Sequence, residues 1–498
     1  GFFRAGLACG GFLLALAGLG AGFAWAKLVR RGGRSDLGTA RVAGAGELRF
    51  LRGKDGLLVA RGLRLSARVS CEHVAVVGPT GSGKSSAYFI PNLLALEGPA
   101  SFVVSDPKGE LYEKTSERQR ALGRKVVVFA PLDPGVSCGY NPVRVASSVT
   151  EVKDIAQTLL VNGTRSAEML TGSRMSQPEW FTMSAPLLAA ALLRGKEYGD
   201  PDDSVAAALE FLVGSSDVEL ASEFEQVSRA ARREYLIFRQ SAGSEATAAS
   251  IRTVVSTALQ LFALPEVAQV TSGETFDPRD LRRGPVALYV VVPERKAAFL
   301  SPLMSVFYHQ LIEKVLEEEG VPVYFLLDEF ANVGVIPEFS RLAATARSRQ
   351  VSLSVGVQGV EQLEGCYGRE VAQDILNNLK TKLFFPGLSE YSAGYASRLC
   401  GYATAQTRSV SREPGALGPV VGESYGLQRR EVLTPDEVRR LDEKQVLVVA
   451  HNRNPVILRQ LRYYEDRGLR RLAGSARLEA RAEAVRTCPA PVPAGVDP

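Results

Sequence analysis

Histidine is nearly absent from this chain: His73, His309 and His451 are the three in 498 residues, far apart in sequence. A His-ligated metal or a Ser–His–Asp relay needs imidazoles that converge, so both chemistries lack their usual carriers, and all three read as structural. The six cysteines (Cys9, Cys71, Cys138, Cys366, Cys400, Cys488) form no C-x-x-C pair. They argue against a zinc site and a disulfide framework, and fit a reducing compartment. An excess of one sign of charge is lacking as well: 59 Lys and Arg stand against 54 Asp and Glu. A net charge of +5 says little about partners, and 46% hydrophobic with 23% charged residues is the composition of an ordinary folded protein of two or three domains. No repeat of solenoid period is visible.

What the chain does have is the stretch Val74-Ala75-Val76-Val77-Gly78-Pro79-Thr80-Gly81-Ser82-Gly83-Lys84-Ser85-Ser86. An apolar β-branched run leads into a loop of pattern G-x-x-x-x-G-K-[ST], and a helix can begin after it. Glycines let successive backbone N–H groups turn inward as an anion nest, and the helix N-terminus adds its positive dipole end. Lys84 is placed to reach β- and γ-phosphates, and the Ser85 hydroxyl to ligate Mg²⁺. The bland alternative is a flexible linker, which the preceding strand argues against. The cofactors expected are ATP and Mg²⁺.

Residues Ala5 to Ala26 carry no charge and, as a helix, span roughly 33 Å, enough to cross a bilayer. Ala24-Trp25-Ala26 also resembles a signal-peptide cleavage site. Cleavage would export a nucleotide-binding domain to a compartment without ATP, so a transmembrane helix is the better reading. Lys27, Arg30, Arg31 and Arg34 place the following chain in the cytoplasm, at an inner membrane.

Further along, Phe102–Ser105 and Lys125–Ala130 read as strands, after a Gly- and Arg-rich lead-in (32–70) that joins the edge of a sheet. Asp106 ends the first of these strands, where α/β proteins place ligands, though a turn or helix cap explains it equally well. From about 146 to 276 helical periodicity replaces the Val-rich runs, as in Ile251, Val254, Val255, Ala258 and Phe262. An all-α domain inserted into an α/β domain accounts for that. Its Arg229, Arg232, Arg233 and Glu234 read as a solvated face. Strands resume at Val286–Val292, Val321–Leu327, Val351–Val357, Lys382–Phe385 and Val446–Ala450, separated by helix-sized segments, so the sheet is expected to be mostly parallel and covered on both faces. The expected organisation is a transmembrane segment with its basic flank (1–31), a RecA-like nucleotide-binding domain in two parts (32–145 and 277–465), the all-α insert (146–276), and a C-terminal helix with a disordered tail (466–498).

Asp328 and Glu329 close the run Val323–Leu327. Beside a phosphate loop, the first acid is suited to Mg²⁺ and the second to polarise the attacking water. Gln358 ends the next strand and can hydrogen-bond a γ-phosphate or that water; a capping or core amide is the alternative. Arg347 lies between them, either as an exposed helix arginine or as a finger entering a neighbouring subunit's site.

Taken together, these pieces resemble the type IV coupling proteins, membrane-anchored ATPases of conjugation and type IV secretion. The likeness runs through Gly38-Thr39-Ala40-Arg41, GPTGSGKSS at 78–86, SDPKGELYE at 105–113, Tyr140-Asn141-Pro142, Glu179-Trp180, LLDEFANVG at 326–334, ARSRQVSLSVGVQGVEQL at 346–363 and Leu433-Thr434-Pro435-Asp436-Glu437. It implies that residues 78–86 and Asp106 hold nucleotide, that Ser85 and Asp328 hold Mg²⁺, and that Lys84, Glu329, Gln358 and Arg347 act in hydrolysis. It also implies a homo-hexamer passing single-stranded DNA without sequence preference, a relaxase or effector protein as cargo, and type IV secretion channel components as partners. Such proteins usually carry two membrane helices, and one is visible here; either an upstream helix precedes Gly1, as the missing Met favours, or this is a one-helix variant. Two other functions fit the same residues: an ATP-switched receptor for secreted proteins, and a septal-type double-stranded DNA translocase, against which the all-α insert argues.

Overall fold

The computed structural model describes residues 37–171, 178–415 and 418–476. The apolar run Ala5–Ala26 and the Pro-rich C-terminal stretch lie outside them. Among the described residues no helix is long and apolar enough to cross a membrane. The described chain divides into two compact units, residues 43–395 with 435–476, and residues 37–42 with 396–434.

The larger unit is organised on one nine-stranded sheet. In chain order the strands are β1 (Leu58–Ala60), β2 (Leu63–Arg64), β3 (Val74–Val77), β4 (Ser101–Ser105), β5 (Lys125–Phe129), β6 (Val286–Val290), β7 (Val323–Leu327), β8 (Val351–Val357), β9 (Thr381–Phe384), β10 (Tyr402–Gly415), β11 (Gly418–Glu431), β12 (Gln445–Ala450) and β13 (Val456–Arg459). The sheet order is β13-β12-β9-β3-β8-β7-β4-β6-β5. From β9 to β5 every neighbouring pair is parallel, while β12 runs antiparallel to both β9 and β13. Strands β3, β6, β7 and β8 are buried at every position. Burial on both faces explains why β3, β6 and β7 read as unbroken apolar runs, while β8 alternates apolar residues with Ser352, Ser354 and Gly356 that are buried all the same. The lead-in segment meets the β13 edge of this sheet through a bridge from Ala43 to Val456 and the Arg61 N–H donating to the Arg459 carbonyl at 2.9 Å, and β1 pairs with β2 in a ribbon of its own.

Between β5 and β6 the described residues form helices, among them Val149–Thr171, Pro178–Tyr198, Arg229–Ala242 and Glu245–Ala258. The first packs on the helix Ala297–Glu317 that follows β6. Midway along that helix Phe307 stacks on Phe129 with centroids 4.2 Å apart, and Tyr140 meets Phe307 edge-on at 4.7 Å. Glu234 departs from the solvated face expected of it. Arg229, Arg232 and Arg233 are exposed, but Glu234 is buried and takes Lys153 from the Val149–Thr171 helix at 2.9 Å. An acid is held out of water there because an amine covers it, a pairing between helices that local sequence does not announce.

The smaller unit is an antiparallel hairpin, β10 with β11, paired from Tyr402↔Glu431 to Gly415↔Gly418. Residues 37–42 run along its base: Thr39 bridges Ala403, and Gly38 carries φ +154, where an added Cβ would stand 2.3 Å from the Tyr402 carbonyl oxygen. The Arg429 guanidinium lies 3.5 Å from the Tyr402 ring centroid, a cation–π contact. This hairpin occupies a stretch where a helix-sized connection was expected.

Candidate nucleotide site

Register places three polar strand ends side by side. Val77 stands opposite Val357 on β8, and Leu327 on β7 opposite Val355. The loop after β3, Gln358 after β8 and Asp328-Glu329 after β7 therefore open on one edge of the sheet, the carboxyl edge where α/β proteins bind ligands.

In the loop, Gly81 and Gly83 adopt φ +81 and +99, conformations that a side chain resists. At Gly78 a Cβ would meet Phe385 Cβ and Ser82 Oγ at 2.6 Å, so the turn closes tightly on β9's continuation. Lys84 is 5% exposed; its ammonium donates to the Gly78 carbonyl at 2.5 Å and lies 3.6 Å from Glu329. The Ser85 hydroxyl donates to Asp328 Oδ2 at 2.8 Å. Gln358 Nε2 donates to Glu329 Oε2 at 3.1 Å, and its own N–H is held by the Gln362 side-chain oxygen at 2.9 Å. Glu329 sits at φ +52, a left-handed conformation that is uncommon without glycine. The tight turn brings its carboxylate back towards Lys84 and Gln358.

Two further features suit a magnesium nucleotide. Ser82 Oγ is buried in the loop without a hydrogen-bond partner among the described residues. Ser85 and Asp328 offer two hard oxygen donors on adjoining elements. Burial pushes the Asp328 carboxyl up to about 6, against the pull of Lys84 and the Ser85 hydrogen bond. A divalent cation there favours the ionised form.

Asp106 ends β4 and is 1% exposed. Its carboxylate accepts from the Tyr112 N–H at 2.7 Å, near the start of the helix Glu110–Ala121, so the geometry seen is a cap on that helix. Burial, with Asp328 and Glu110 adding to it, pushes its carboxyl up to about 7. Lys108 is exposed.

Arg347 is not brought to this edge. It precedes β8 while Gln358 follows it, so the strand separates Arg347 from its own phosphate loop by roughly 20 Å, beyond a side chain's reach. There it is half exposed and bonded to Glu72.

Sequence reasoning missed Gln460 and Arg462. A Cβ on Gly83 would stand 3.1 Å from Gln460 Oε1 and 3.9 Å from Arg462 Nε, and the Tyr463 N–H donates to the Ser86 carbonyl at 3.0 Å. The chain after β13 thus borders the phosphate loop. An Arg among other arginines near the C-terminus gives no local signal of that.

The family described as "Type IV secretory system Conjugative DNA transfer" matches residues 37–492. Protein VirD4 of Rhizobium rhizogenes is 29% identical over 413 residues, covering 80% of this chain and 60% of that protein. The coupling protein TraD of Escherichia coli strain K12 is 22% identical over 387 residues, covering 72% and 51%. The chain thus spans between half and three-fifths of the length of these relatives. Among solved structures, the bacterial conjugative coupling protein TrwBdeltaN70 in its unbound form superposes with a TM-score of 0.63 at 18% identity, over 84% of this chain and 92% of that one. TrwB in complex with ADP and Mg2+ gives 0.62 at 19% identity, over 84% and 92%. That likeness shows a shared fold. With the family pattern matched across nearly its whole length, this chain belongs to the type IV secretory system conjugative DNA transfer family.

Proposed function

We propose that this chain is the ATPase portion of an inner-membrane coupling protein. In this reading it recruits a relaxase–DNA complex, or an effector protein, and drives its transfer to a type IV secretion channel. The observation that carries the proposal is the convergence of Lys84, Ser85, Asp328, Glu329 and Gln358 at one sheet edge.

The loop N–H groups and Lys84 bind the phosphates, and Lys84 exchanges its contacts to Gly78 and Glu329 for them. Ser85 and Asp328 hold Mg²⁺, which when bound neutralises charge on the phosphate oxygens. Glu329 orients and deprotonates the attacking water, and Gln358, already hydrogen-bonded to it, reports whether the γ-phosphate is present. Arg347 serves the neighbouring subunit's site, which its distance from its own loop favours. We read 146–276 as an all-α domain for cargo recognition, the assembly as a homo-hexamer, and Ala5–Ala26 as the membrane anchor. TrwB has been solved with ADP and Mg2+, which supports the same cofactor pair here. DNA passing through such a ring is held by its phosphates, so binding is non-specific and salt-dependent.

The test is the ATPase rate with and without single-stranded DNA. Stimulation that weakens as salt rises is expected. A rate indifferent to DNA would identify a nucleotide-switched protein receptor instead, and stimulation by duplex alone a double-stranded translocase.

A further inference from the structure

Glu72 is a buried acid that the chemistry above leaves unused. It lies in the turn before β3, its side chain 7% exposed. Its Oε1 accepts from Arg347 Nη2 at 2.5 Å. Its Oε2 stands 2.9 Å from His451 Nε2, yet neither atom has a hydrogen bond among the described residues. A buried carboxylate is costly even when paired, and an apolar residue would serve packing better. The guanidinium it holds is 52% exposed and engaged through one nitrogen.

The same turn also grips the backbone that carries Arg347. His73 Nδ1 accepts from the Leu353 N–H at 3.1 Å, so Nε2 bears the proton and donates to the Ala343 carbonyl at 2.7 Å. The Ser352 hydroxyl donates to the Ser70 carbonyl at 2.6 Å. Residues on both sides of Arg347 are thus fastened to the N-terminal end of β3, whose other end is the phosphate loop.

We propose that Glu72 is a positioning residue for Arg347. It holds the guanidinium by one nitrogen and leaves the remaining N–H donors directed outward, toward nucleotide on a neighbouring subunit. The inference rests on the reading of Arg347 as a residue acting between subunits. It adds that the donor subunit's own phosphate strand supplies the mount.

The experiment uses the full chain and mixed assemblies. Glu72→Gln is expected to lower kcat roughly 10- to 100-fold, the scale of a misplaced catalytic group, with KM for ATP changed less than about twofold. Mixing Glu72→Gln with Glu329→Gln subunits is expected to restore turnover, because the latter lend a well-held Arg347 to an intact site. A Glu72→Gln/Glu329→Gln double variant mixed with Arg347→Ala is expected to restore none. Wild-type kcat in Glu72→Gln, or a loss that Glu329→Gln subunits do not repair although they repair Arg347→Ala, overturns the role of Glu72 alone. An Arg347→Ala variant that keeps wild-type kcat, or is not repaired by mixing, overturns the underlying reading of Arg347. Should Glu72→Gln lower the Tm so far that it does not fold, Glu72→Asp, one methylene shorter, is read by the same outcomes.

Discussion

Ser85 and Asp328, 243 residues apart in the chain, share a hydrogen bond of 2.8 Å. The pair joins the helix start after the phosphate loop to the end of β7, with β8 lying between the two strands. Two elements that sequence places far apart thereby bring two hard oxygen donors together, and beside them Glu329 is ion-paired to Lys84 and accepts from Gln358 at the end of the intervening strand.

Lys84→Ala is expected to lose ATP turnover by at least about 10²-fold while keeping its fold. The hydrogen bonds of the ammonium go to loop carbonyls, Gly78 and Pro79, and its ion pair to Glu329, rather than to the core. Turnover at the wild-type rate in a variant with native Tm would remove the assignment.

Arg347→Ala alone is expected to lose most activity, and mixing with Glu329→Gln subunits is expected to restore part of it. Each variant lacks what the other supplies when sites are shared between subunits. Absence of recovery in demonstrably mixed assemblies would leave Arg347 a structural partner of Glu72.

Gly356 faces the site from the middle strand. A Cβ there would lie 2.8 Å from Phe89 Cζ and 3.1 Å from Asp328 Oδ1. Gly356→Ala is therefore expected to shift Asp328 and weaken magnesium-dependent nucleotide binding roughly tenfold, the discrimination of about 1.4 kcal/mol. A Mg²⁺ titration of nucleotide affinity measures it, and an unchanged midpoint would mean that the carboxylate tolerates displacement.

Glu313 gives a pH signature away from the site. Burial, with Asp154, Glu151 and Glu317 adding like charge and Lys314 opposing, pushes its carboxyl up to about 7. His309 lies 3.6 Å away, but burial holds that imidazole down to about 4, so it supplies no counter-charge. The folded state binds a proton more tightly than the unfolded chain between about 4.5 and 7, so this acid lowers stability as pH rises through that window. Glu313→Gln is expected to match the wild-type unfolding free energy near pH 4.5 and exceed it at pH 8 by about 1–2 kcal/mol after allowing for partial exposure, with a correspondingly higher Tm. Equal Tm at both pH values would refute the shift.

Much of the frame was legible in sequence because its strands are buried on both faces. Val74–Val77 and Val323–Leu327 appear as unbroken apolar runs and Val351–Val357 as valines and a leucine alternating with small residues, and the helices between β5 and β6 keep a 3.6-residue period. The hairpin β10–β11 left no such trace: its flanks, with Arg408, Val410, Tyr425 and Leu427 exposed, bury no face and so impose no period. Gln460 and Arg462 were illegible for another reason, since nothing local tells that the chain after β13 returns to Gly83.

The sequence by itself determined that a G-x-x-x-x-G-K-S turn follows an apolar strand, that Asp328-Glu329 and Gln358 end strands, and which family the chain resembles. Those are properties of short segments, set by φ preferences and by the run of apolar residues beside them. Only the tertiary structure decided that β8 lies between β3 and β7, that Asp106 caps a helix, and that Arg347 is held by Glu72 at the edge opposite its own phosphate loop. Those depend on strand order and on contacts between residues hundreds of positions apart, where the free energy belongs to the pairing and to neither partner alone.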